Sequence, residues 1–455
     1  MTTRRLGSVI VWGLILLWEL LYYTGLIDSS RFSHPLGTIN ALRNLDLLMG
    51  LGKTLFRVVL SSLLGVIVGL AIAVLISQNP WVTQTVIRFL RLGLWVPFFI
   101  YLAVPYWILP GVVVVSLFAC YQFLSIRLAL SLPWRESILK VQRGAILQAL
   151  LFYLVFQFWL PEEWWSLSHG ILKVDGVYAI ILLLLAFVFF VDRLFRSNFP
   201  SLSAMRGAVL VKEIAGGNGS SYWWGVGILI IFCLAVWQLF TDPILRHFKV
   251  GSPLAVLETV YPPLGSGALI FDIAVSLLEV FAGLILSGAG AVIVFKGMSD
   301  NAHFRNLTFS FVPLTFIVPI MLRSVEGHWV GWDYRSSTSL VVWTALAVGF
   351  MTFYPFVLVL WGLRDHPPVR RILLAADEAL PYAFLTMLFS EAMAATKGLG
   401  FYIIWTRGIL EISRSLGASL LTFALLLFIS SLLRSAAKRW YFVESTEFRS
   451  GIPGT

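Results

Sequence analysis

Near the end of the chain, the run EAMAATKGLGFYII (391–404) places a carboxylate, a cation and two closely spaced glycines among apolar residues. Glycine permits positive φ and close backbone approach, so Gly398 and Gly400 predict a sharp bend. An ionisable residue inside an apolar span usually faces a bundle interior or a water-filled cavity. Glu391, Lys397, Gly398 and Gly400 are therefore candidates for a pathway or gate. The alternative is that Glu391 and Lys397 form an interfacial pair that anchors the depth of a helix.

The rest of the sequence offers no set of residues with the spacing of a catalytic or metal-binding site. Cys120 and Cys233 fall in separate apolar runs, and the six histidines are scattered. GLGKT (50–54) resembles a phosphate-binding loop, but Leu47 stands where that motif needs its first glycine. We therefore expect no enzyme activity, no ATPase function within this chain, no metal and no cofactor.

The composition indicates a membrane protein. Of the 455 residues, 59% are hydrophobic and only 12% are charged, whereas soluble proteins carry about 25% charged residues. Several apolar runs approach the roughly 20 residues that span a bilayer as a helix, and they lack the alternation of a membrane barrel. We predict an all-α, polytopic membrane protein with about twelve spans, at 8–27, 55–76, 92–109, 111–130, 145–160, 177–195, 222–240, 268–295, 309–322, 338–363, 380–396 and 417–435.

The distribution of positive charge predicts the orientation. The N-terminal run resembles a secretory signal, but its length and the lack of a small-residue cleavage site favour a retained first helix. With the N-terminus inside and alternating spans, the inside segments hold 21 of the 33 Lys and Arg residues. This bias predicts that both termini are cytoplasmic. Basic loops facing anionic lipid also explain the net charge of +10 without nucleic acid as a partner.

Three segments recur in order along the chain, which suggests an internal duplication. The segments around Trp18, Arg57 and Val96 resemble those around Trp237, Glu279 and Val312, in the same order and at nearly the same spacing. Shared apolar composition is the alternative explanation, although prolines and tryptophans also recur in place. We predict two parallel-repeated six-helix units, which places a pathway at their interface. A polar segment, 197–221, reads as a flexible cytoplasmic linker between them.

The second half resembles the membrane-spanning permease subunit of ABC importers for nitrate, sulfonates, taurine and similar small solutes. The resemblance lies in GSPLAVLETV (251–260), SLLEVFAGLILSGAGA (276–291), VPLTFIVPIML (312–322), FYPFVLVLWGLR (353–364) and EAMAATKGLGFYI (391–403), which keep the family's order. It implies a degenerate first unit at 1–196, a second unit at 222–441, a cytoplasmic tail at 442–455, and two fused units where the family usually forms a homodimer. It also implies a bacterial cytoplasmic membrane, a separate ATP-binding subunit and an extracytoplasmic solute-binding protein.

The resemblance also assigns roles to residues. In such permeases the segment like EAMAATKGLG ends a pore-lining helix and turns at the external face. The family's docking segment for the ATPase is compressed here to about half its length, between Arg364 and Gly398. The inner-face charges that remain as coupling candidates are Arg364, Arg370, Arg371, Asp377 and Glu378. The alternative for these charges is a solvated loop that enforces topology.

Three functions therefore compete at the level of the sequence. The first is an ABC importer permease made of two fused units. The second is a permease-derived accessory or assembly protein that has lost coupling to a motor. The third is a twelve-helix secondary transporter, which would need several intramembrane carboxylates or broken helices as ion sites.

Overall fold

A computed structural model describes residues 45–79, 109–130, 251–311, 337–394, 397–409 and 411–450, with scattered positions between 16 and 43, 82 and 90, and 231 and 241, and residue 315. The regular structure in these ranges is helical. The helices are α1 (Leu45–Ile76), α2 (Leu109–Leu130), α3 (Pro253–Gly265), α4 (Ala268–Asp300), α5 (Ala302–Phe311), α6 (Ser337–Gly362), α7 (Pro368–Ala394), α8 (Leu399–Gly408) and α9 (Ile412–Ser450).

Five of the described helices are long and apolar enough to cross a membrane. The apolar stretches are Leu55–Ile76, Ala268–Asp300, Val341–Gly362, Pro368–Ala392 and Ile412–Arg439. The described part of the chain is therefore all-helical, and its long apolar helices are those of a polytopic membrane protein, as the composition predicts. Helix α2 also covers the predicted span 111–130. The other predicted spans, the linker 197–221 and the tail beyond residue 450 lie wholly or largely outside the described residues.

Helix α7 differs most from its predicted span. The sequence places a span at 380–396, whereas α7 begins at Pro368 and runs without interruption to Ala394. The predicted start is late because Arg370, Asp377 and Glu378 interrupt the apolar pattern. All three side chains are buried in the structure. Polar residues can continue a membrane helix when protein, and not lipid, surrounds them.

The helices of the second half pack around α6 and α7. In the apolar stretches, 67% of the residues of α6 and 78% of those of α7 are buried, whereas the buried share is 33% in α4 and 28% in α1. The large side chains at the centre include Phe356 and Phe384, both almost fully buried. Helices α6 and α7 thus form the core, and α1 and α4 present broad apolar faces that suit contact with lipid.

Helices α4 and α6 are parallel and in close contact. Gly283 faces Val348, a Cβ atom on Gly288 would lie 3.5 Å from the ring of Phe356, and further along Phe295 packs on Trp361. Helix α7 is antiparallel to both, because a short turn joins it to α6. A span between these two parallel helices is what the sequence predicts at 309–322. Most of that span lies outside the described residues.

Helices α1 and α2 of the first half are packed like α4 and α6. A Cβ atom on Gly65 would lie 2.6 Å from Cβ of Val115 and 2.8 Å from the carbonyl oxygen three residues before that valine. A Cβ atom on Gly283 would meet Val348 at 2.5 Å and the carbonyl oxygen three residues before it at 2.8 Å. Further along, Arg127 donates a hydrogen bond to Ser77, so this pair is also parallel. Each half therefore contains a parallel helix pair with the same glycine–valine contact.

The packing also aligns the two halves residue by residue. When Gly65 is aligned with Gly283, buried positions of α1 match buried positions of α4: Val58, Ser61, Ser62, Val66 and Ala73 match Ser276, Glu279, Val280, Leu284 and Ala291. When Val115 is aligned with Val348, VSLFACYQF (115–123) matches VGFMTFYPF (348–356), a likeness that the sequence comparison missed. The sequence comparison paired Arg57 with Glu279, whereas the packing pairs Ser61 with Glu279. The two alignments differ by about one helical turn.

Candidate functional site

Three consecutive backbone amides at the start of α8 are capped by side chains from other helices. Gly398 N donates to Oδ1 of Asp272 at 2.8 Å, and Leu399 N donates to Oγ of Ser276 at 2.9 Å. Gly400 N donates to Oε2 of Glu391 at 2.7 Å. The first amides of a helix have no partner within that helix and must be satisfied elsewhere. Here α4 and α7 supply the acceptors, and these groups are called the turn cluster below.

The turn cluster is internally connected. The hydroxyl of Ser276 donates to Oε1 of Glu391 at 2.5 Å while it accepts from Leu399 N. Ser276 and Glu391 are both fully buried, and Glu391 is 115 residues from Ser276 in sequence. Both oxygens of Glu391 are thus used to hold the start of α8 against α4. The arrangement fixes a turn and offers no nucleophile or general base with a free approach.

Both glycines are required by the geometry of this turn. Gly398 has φ of +107°, in the left-handed region that disfavours other residues. A Cβ atom at Gly398 would also overlap the carboxyl group of Glu391. A Cβ atom at Gly400 would overlap the carbonyl oxygen of Leu388. The bend expected from these two glycines is present, and it brings the backbone directly onto α7.

Lys397 lies beside the turn cluster, where its charge interacts with the carboxyl group of Asp272. The side chain is exposed, and its Nζ lies 4.5 Å from the ring centroid of Phe271. Of the four candidates, the structure brings together Glu391, Gly398 and Gly400, and it places Lys397 on the outside. The interfacial anchor considered above therefore involves Lys397 with an aromatic ring and not with Glu391. A pathway or gating role for the four residues stays a prediction.

Glu279 is a further member of this region that the sequence did not single out. It is fully buried, its carboxyl group lies close enough to Glu391 for electrostatic interaction, and its oxygens make no regular hydrogen bond among the described residues. The sequence signal was the spacing of Asp272, Ser276 and Glu279, which puts all three on one face of α4. Two interacting carboxyl groups buried inside a span are costly when both are charged, so Glu279 and Glu391 mark this face as a functional candidate.

The first half does not repeat these polar groups. In the alignment that matches Gly65 with Gly283, Thr54, Val58 and Ser61 occupy the positions of Asp272, Ser276 and Glu279. The packing of α1 on α2 is retained, but the carboxyl groups are absent from these three positions. The two halves are therefore similar in packing and different in chemistry.

The predicted coupling charges separate into exposed and buried groups. Arg364 is exposed in the turn after α6, where it pairs weakly with Asp365 at 3.8 Å. Arg371 is half-buried in the first turn of α7, while Arg370, Asp377 and Glu378 are buried. These last three lie inside a helix and not in a solvated loop. Their proposed role in coupling stays a prediction.

Asp377 is part of a buried ion pair between α7 and α9. One carboxylate oxygen accepts from Nε of Arg434 at 2.9 Å, and the other accepts a hydrogen bond from Ser430. The Asp377 side chain is fully buried, and that of Arg434 is 21% exposed. Burial of a carboxylate is tolerable when it is paired and hydrogen-bonded. The observed contact therefore assigns Asp377 a structural function in joining α7 to α9.

His366, in the turn between α6 and α7, is a titratable group outside the spans whose pKa is shifted. Burial lowers the pKa of its imidazole, and the neighbouring positive charge of Arg370 lowers it further. Nδ1 of His366 lies 3.5 Å from Nη1 of Arg370. The neutral imidazole is thus the favoured form in the folded protein.

No group of three or more His, Cys, Asp or Glu side chains within the described ranges could hold a metal ion. No protein-family model, curated protein or solved structure matches the chain.

Proposed function

We propose that this chain is the transmembrane permease component of an ABC-type importer. In this proposal, two fused six-helix units, with both termini in the cytoplasm of a bacterium, move a small solute such as nitrate or a sulfonate across the cytoplasmic membrane. A separate ATP-binding subunit supplies the energy, and an extracytoplasmic solute-binding protein delivers the solute. The chain itself carries out no enzymatic reaction and needs no cofactor.

The repeated helix pair is the observation that carries this proposal. Helices α1 and α2 are parallel to each other, as α4 and α6 are, and the two pairs share a glycine–valine contact and a burial pattern. Chance similarity among apolar helices explains a shared composition, but it does not explain the same glycine–valine contact within matching burial patterns. Parallel repeats related by an axis along the membrane normal are common in transporters and leave a pathway between the units. This supports a duplicated transporter.

The turn cluster supports a boundary role for EAMAATKGLG. Capping from two other helices makes the end of α7 and the start of α8 one rigid corner. In the predicted orientation this corner lies at the external boundary of the membrane. A rigid corner allows α7 and α8 to move together when the units rock, so the corner can close the outer end of a pathway without being rebuilt in each cycle.

A permease-derived accessory protein without motor coupling is the second candidate, and one observation favours it. Arg370, Asp377 and Glu378 are buried in α7, so the compressed inner segment leaves few charges that an ATPase could contact. The exposed charges in the turn between α6 and α7 are Arg364 and Asp365. The buried carboxyl groups of Glu279 and Glu391 are the feature in the described ranges that a secondary transporter would also need.

Complex formation with an ATPase separates the two candidates. The purified full chain is mixed in detergent with candidate ABC ATPase subunits, and the complex is detected by size-exclusion chromatography and by stimulated ATP hydrolysis. We expect a stable complex that Arg364→Glu with Asp365→Lys weakens at least tenfold. The matched control is Lys53→Glu, an exposed cation at the start of α1 and at the predicted outer face. A folded ATPase subunit that never associates with the chain would favour the accessory protein.

A further inference from the structure

Three guanidinium groups surround two aromatic rings where α4 and α6 end and α7 begins. The guanidinium carbons of Arg305 and Arg364 each lie 5.6 Å from the ring centroid of Trp361. That of Arg371 lies 4.8 Å from the ring centroid of Phe295. The two rings pack edge to face with centroids 6.1 Å apart. Arg305, Arg364 and Arg371 are called the arginine cluster below.

The arginine cluster has more positive charge and more donors than its described surroundings satisfy. Its ion pair within the described ranges is Arg364 with Asp365, at 3.8 Å and with side chains 59% and 89% exposed. Such an exposed pair is weak. Nη1 of Arg371 donates to the carbonyl oxygen of Arg364, but its buried Nε has no acceptor in the described part of the chain. Three neighbouring cations with an unfilled donor favour an added anion.

The position of the cluster along α4 places it at the surface of the membrane. The ring of Phe271, near one end of α4, contacts the ammonium group of Lys397. The ring of Phe295, near the other end, contacts the guanidinium group of Arg371. The two rings are 24 positions apart in one helix, which corresponds to about 36 Å at 1.5 Å per residue. The hydrocarbon core is about 30 Å thick, and headgroups extend it to about 40–45 Å. Both cation–aromatic pairs therefore lie at the level of headgroups.

We propose that the arginine cluster is a binding site for the phosphate of an anionic lipid headgroup in the predicted cytoplasmic leaflet. The planar forks of Arg305, Arg364 and Arg371 donate to the phosphate oxygens, a geometry for which guanidinium is better suited than ammonium. Trp361 and Phe295 position the guanidinium groups through the cation–aromatic contacts. Charge complementarity and depth in the membrane together favour lipid over an acidic protein surface.

Lipid binding is measured with the purified full chain in neutral detergent micelles. Phosphatidylglycerol or phosphatidylcholine is titrated in, and apparent affinity is taken from the rise in the midpoint of thermal unfolding. No ATPase is present, so the result is independent of the proposed function, including the use of Arg364 there. We expect the native chain to bind phosphatidylglycerol at least tenfold more tightly than phosphatidylcholine. The triple variant Arg305→Gln, Arg364→Gln, Arg371→Gln should bind phosphatidylglycerol about 100-fold more weakly, since each basic residue near anionic lipid contributes roughly fivefold.

A matched triple variant controls for loss of charge in general. Lys53→Gln, Lys438→Gln and Arg439→Gln remove the same charge at other exposed or half-exposed positions and should weaken binding much less than the site variant, because these cations lie on two separate helices and not around one pair of rings. If the site variant does not fold, Arg305→Gln alone replaces it, with an expected loss of roughly fivefold.

Four results would overturn the proposal. These are equal affinity of the native chain for the two lipids, equal losses in the site and control variants, the same stabilisation by inorganic phosphate without anionic lipid, and stronger stabilisation by poly-glutamate than by phosphatidylglycerol. The third would indicate a site for soluble anions. The fourth would indicate an acidic protein as the occupant.

Discussion

Replacement of Glu391 by alanine tests whether the turn cluster holds α8 against α4 and α7. The substitution removes the acceptor of two buried donors, the amide of Gly400 and the hydroxyl of Ser276. A buried polar group left without a partner costs about 1–3 kcal/mol. Removal of a buried carboxyl group next to Glu279 offsets part of this cost. We expect the free energy of unfolding to fall by about 2–4 kcal/mol.

A double-mutant cycle makes this prediction specific to the contact. Ser276→Ala removes the partner of the Leu399 amide and of one Glu391 oxygen, so the two single variants leave four polar groups without partners. The double variant leaves only the amides of Leu399 and Gly400. The cost of the double variant should therefore be smaller than the sum of the single costs by about 2 kcal/mol.

The assay is unfolding by sodium dodecyl sulfate in mixed micelles, followed by the loss of helical signal. Glu258→Ala is the matched control, because Glu258 is an exposed glutamate on α3. It should change the free energy of unfolding by less than about 0.5 kcal/mol. Additivity of Glu391→Ala and Ser276→Ala within about 0.5 kcal/mol would refute the reasoning, since the two residues would then not share a stabilising contact.

Three further predictions concern the helix pairs, the buried ion pair and the turn between α6 and α7. Gly65→Ala and Gly283→Ala should each destabilise the protein by about 1–3 kcal/mol in the same assay, because the added Cβ overlaps a facing valine. Gly288→Ala should be nearly neutral, since its Cβ makes an ordinary contact at 3.5 Å, and an equal effect at this position would contradict the prediction. Asp377→Ala should lower the free energy of unfolding by about 3 kcal/mol, because the mostly buried guanidinium of Arg434 in α9 loses its carboxylate partner. An unchanged free energy of unfolding would contradict the structural role. The lowered pKa of His366 means that the unfolded chain binds more protons than the folded protein, so stability is full above the unfolded pKa of about 6.5 and falls as the pH drops below it. His366→Gln should reduce the fall in the unfolding midpoint between about pH 7.5 and 5.5, and an unchanged profile would exclude His366 as its source.

The extent of the apolar helices could be predicted because it depends on local composition. A membrane span needs a run of apolar residues, and four of the five membrane-crossing helices coincide closely with their predicted spans. Helix α7 does not, since Asp377 finds its partner Arg434 on α9, 57 residues away. Composition alone cannot show that a buried charge has a distant partner. The start of α7 was therefore predicted too late, at Leu380 and not at Pro368.

The turn cluster was predictable only in part. The glycines at 398 and 400 indicated the bend, and Glu391 was a candidate because a carboxyl group in an apolar span needs a partner. The acceptors on α4 could not be identified, because Ser276 lies 115 residues from Glu391 in sequence. The sequence alignment of the two halves was displaced by about one helical turn for a different reason. An apolar helix resembles itself after one turn, so sequence likeness alone did not distinguish Arg57 from Ser61 as the counterpart of Glu279.

The difference between the halves limits how a fused permease could work. If the two units share a pathway, a rigid corner built on α4 exists only where side chains cap the amides of the following helix. Thr54 and Val58 stand at the positions of Asp272 and Ser276 in the first half, so the cap that Ser276 supplies has no counterpart on α1. The helix packing that both halves share would then provide the common scaffold, while the turn cluster would make the second half the more rigid side. Motion at the outer end should consequently be concentrated in the first half, on α1 and α2. Equal hydrogen exchange in α1 and α4 during turnover would contradict this asymmetry.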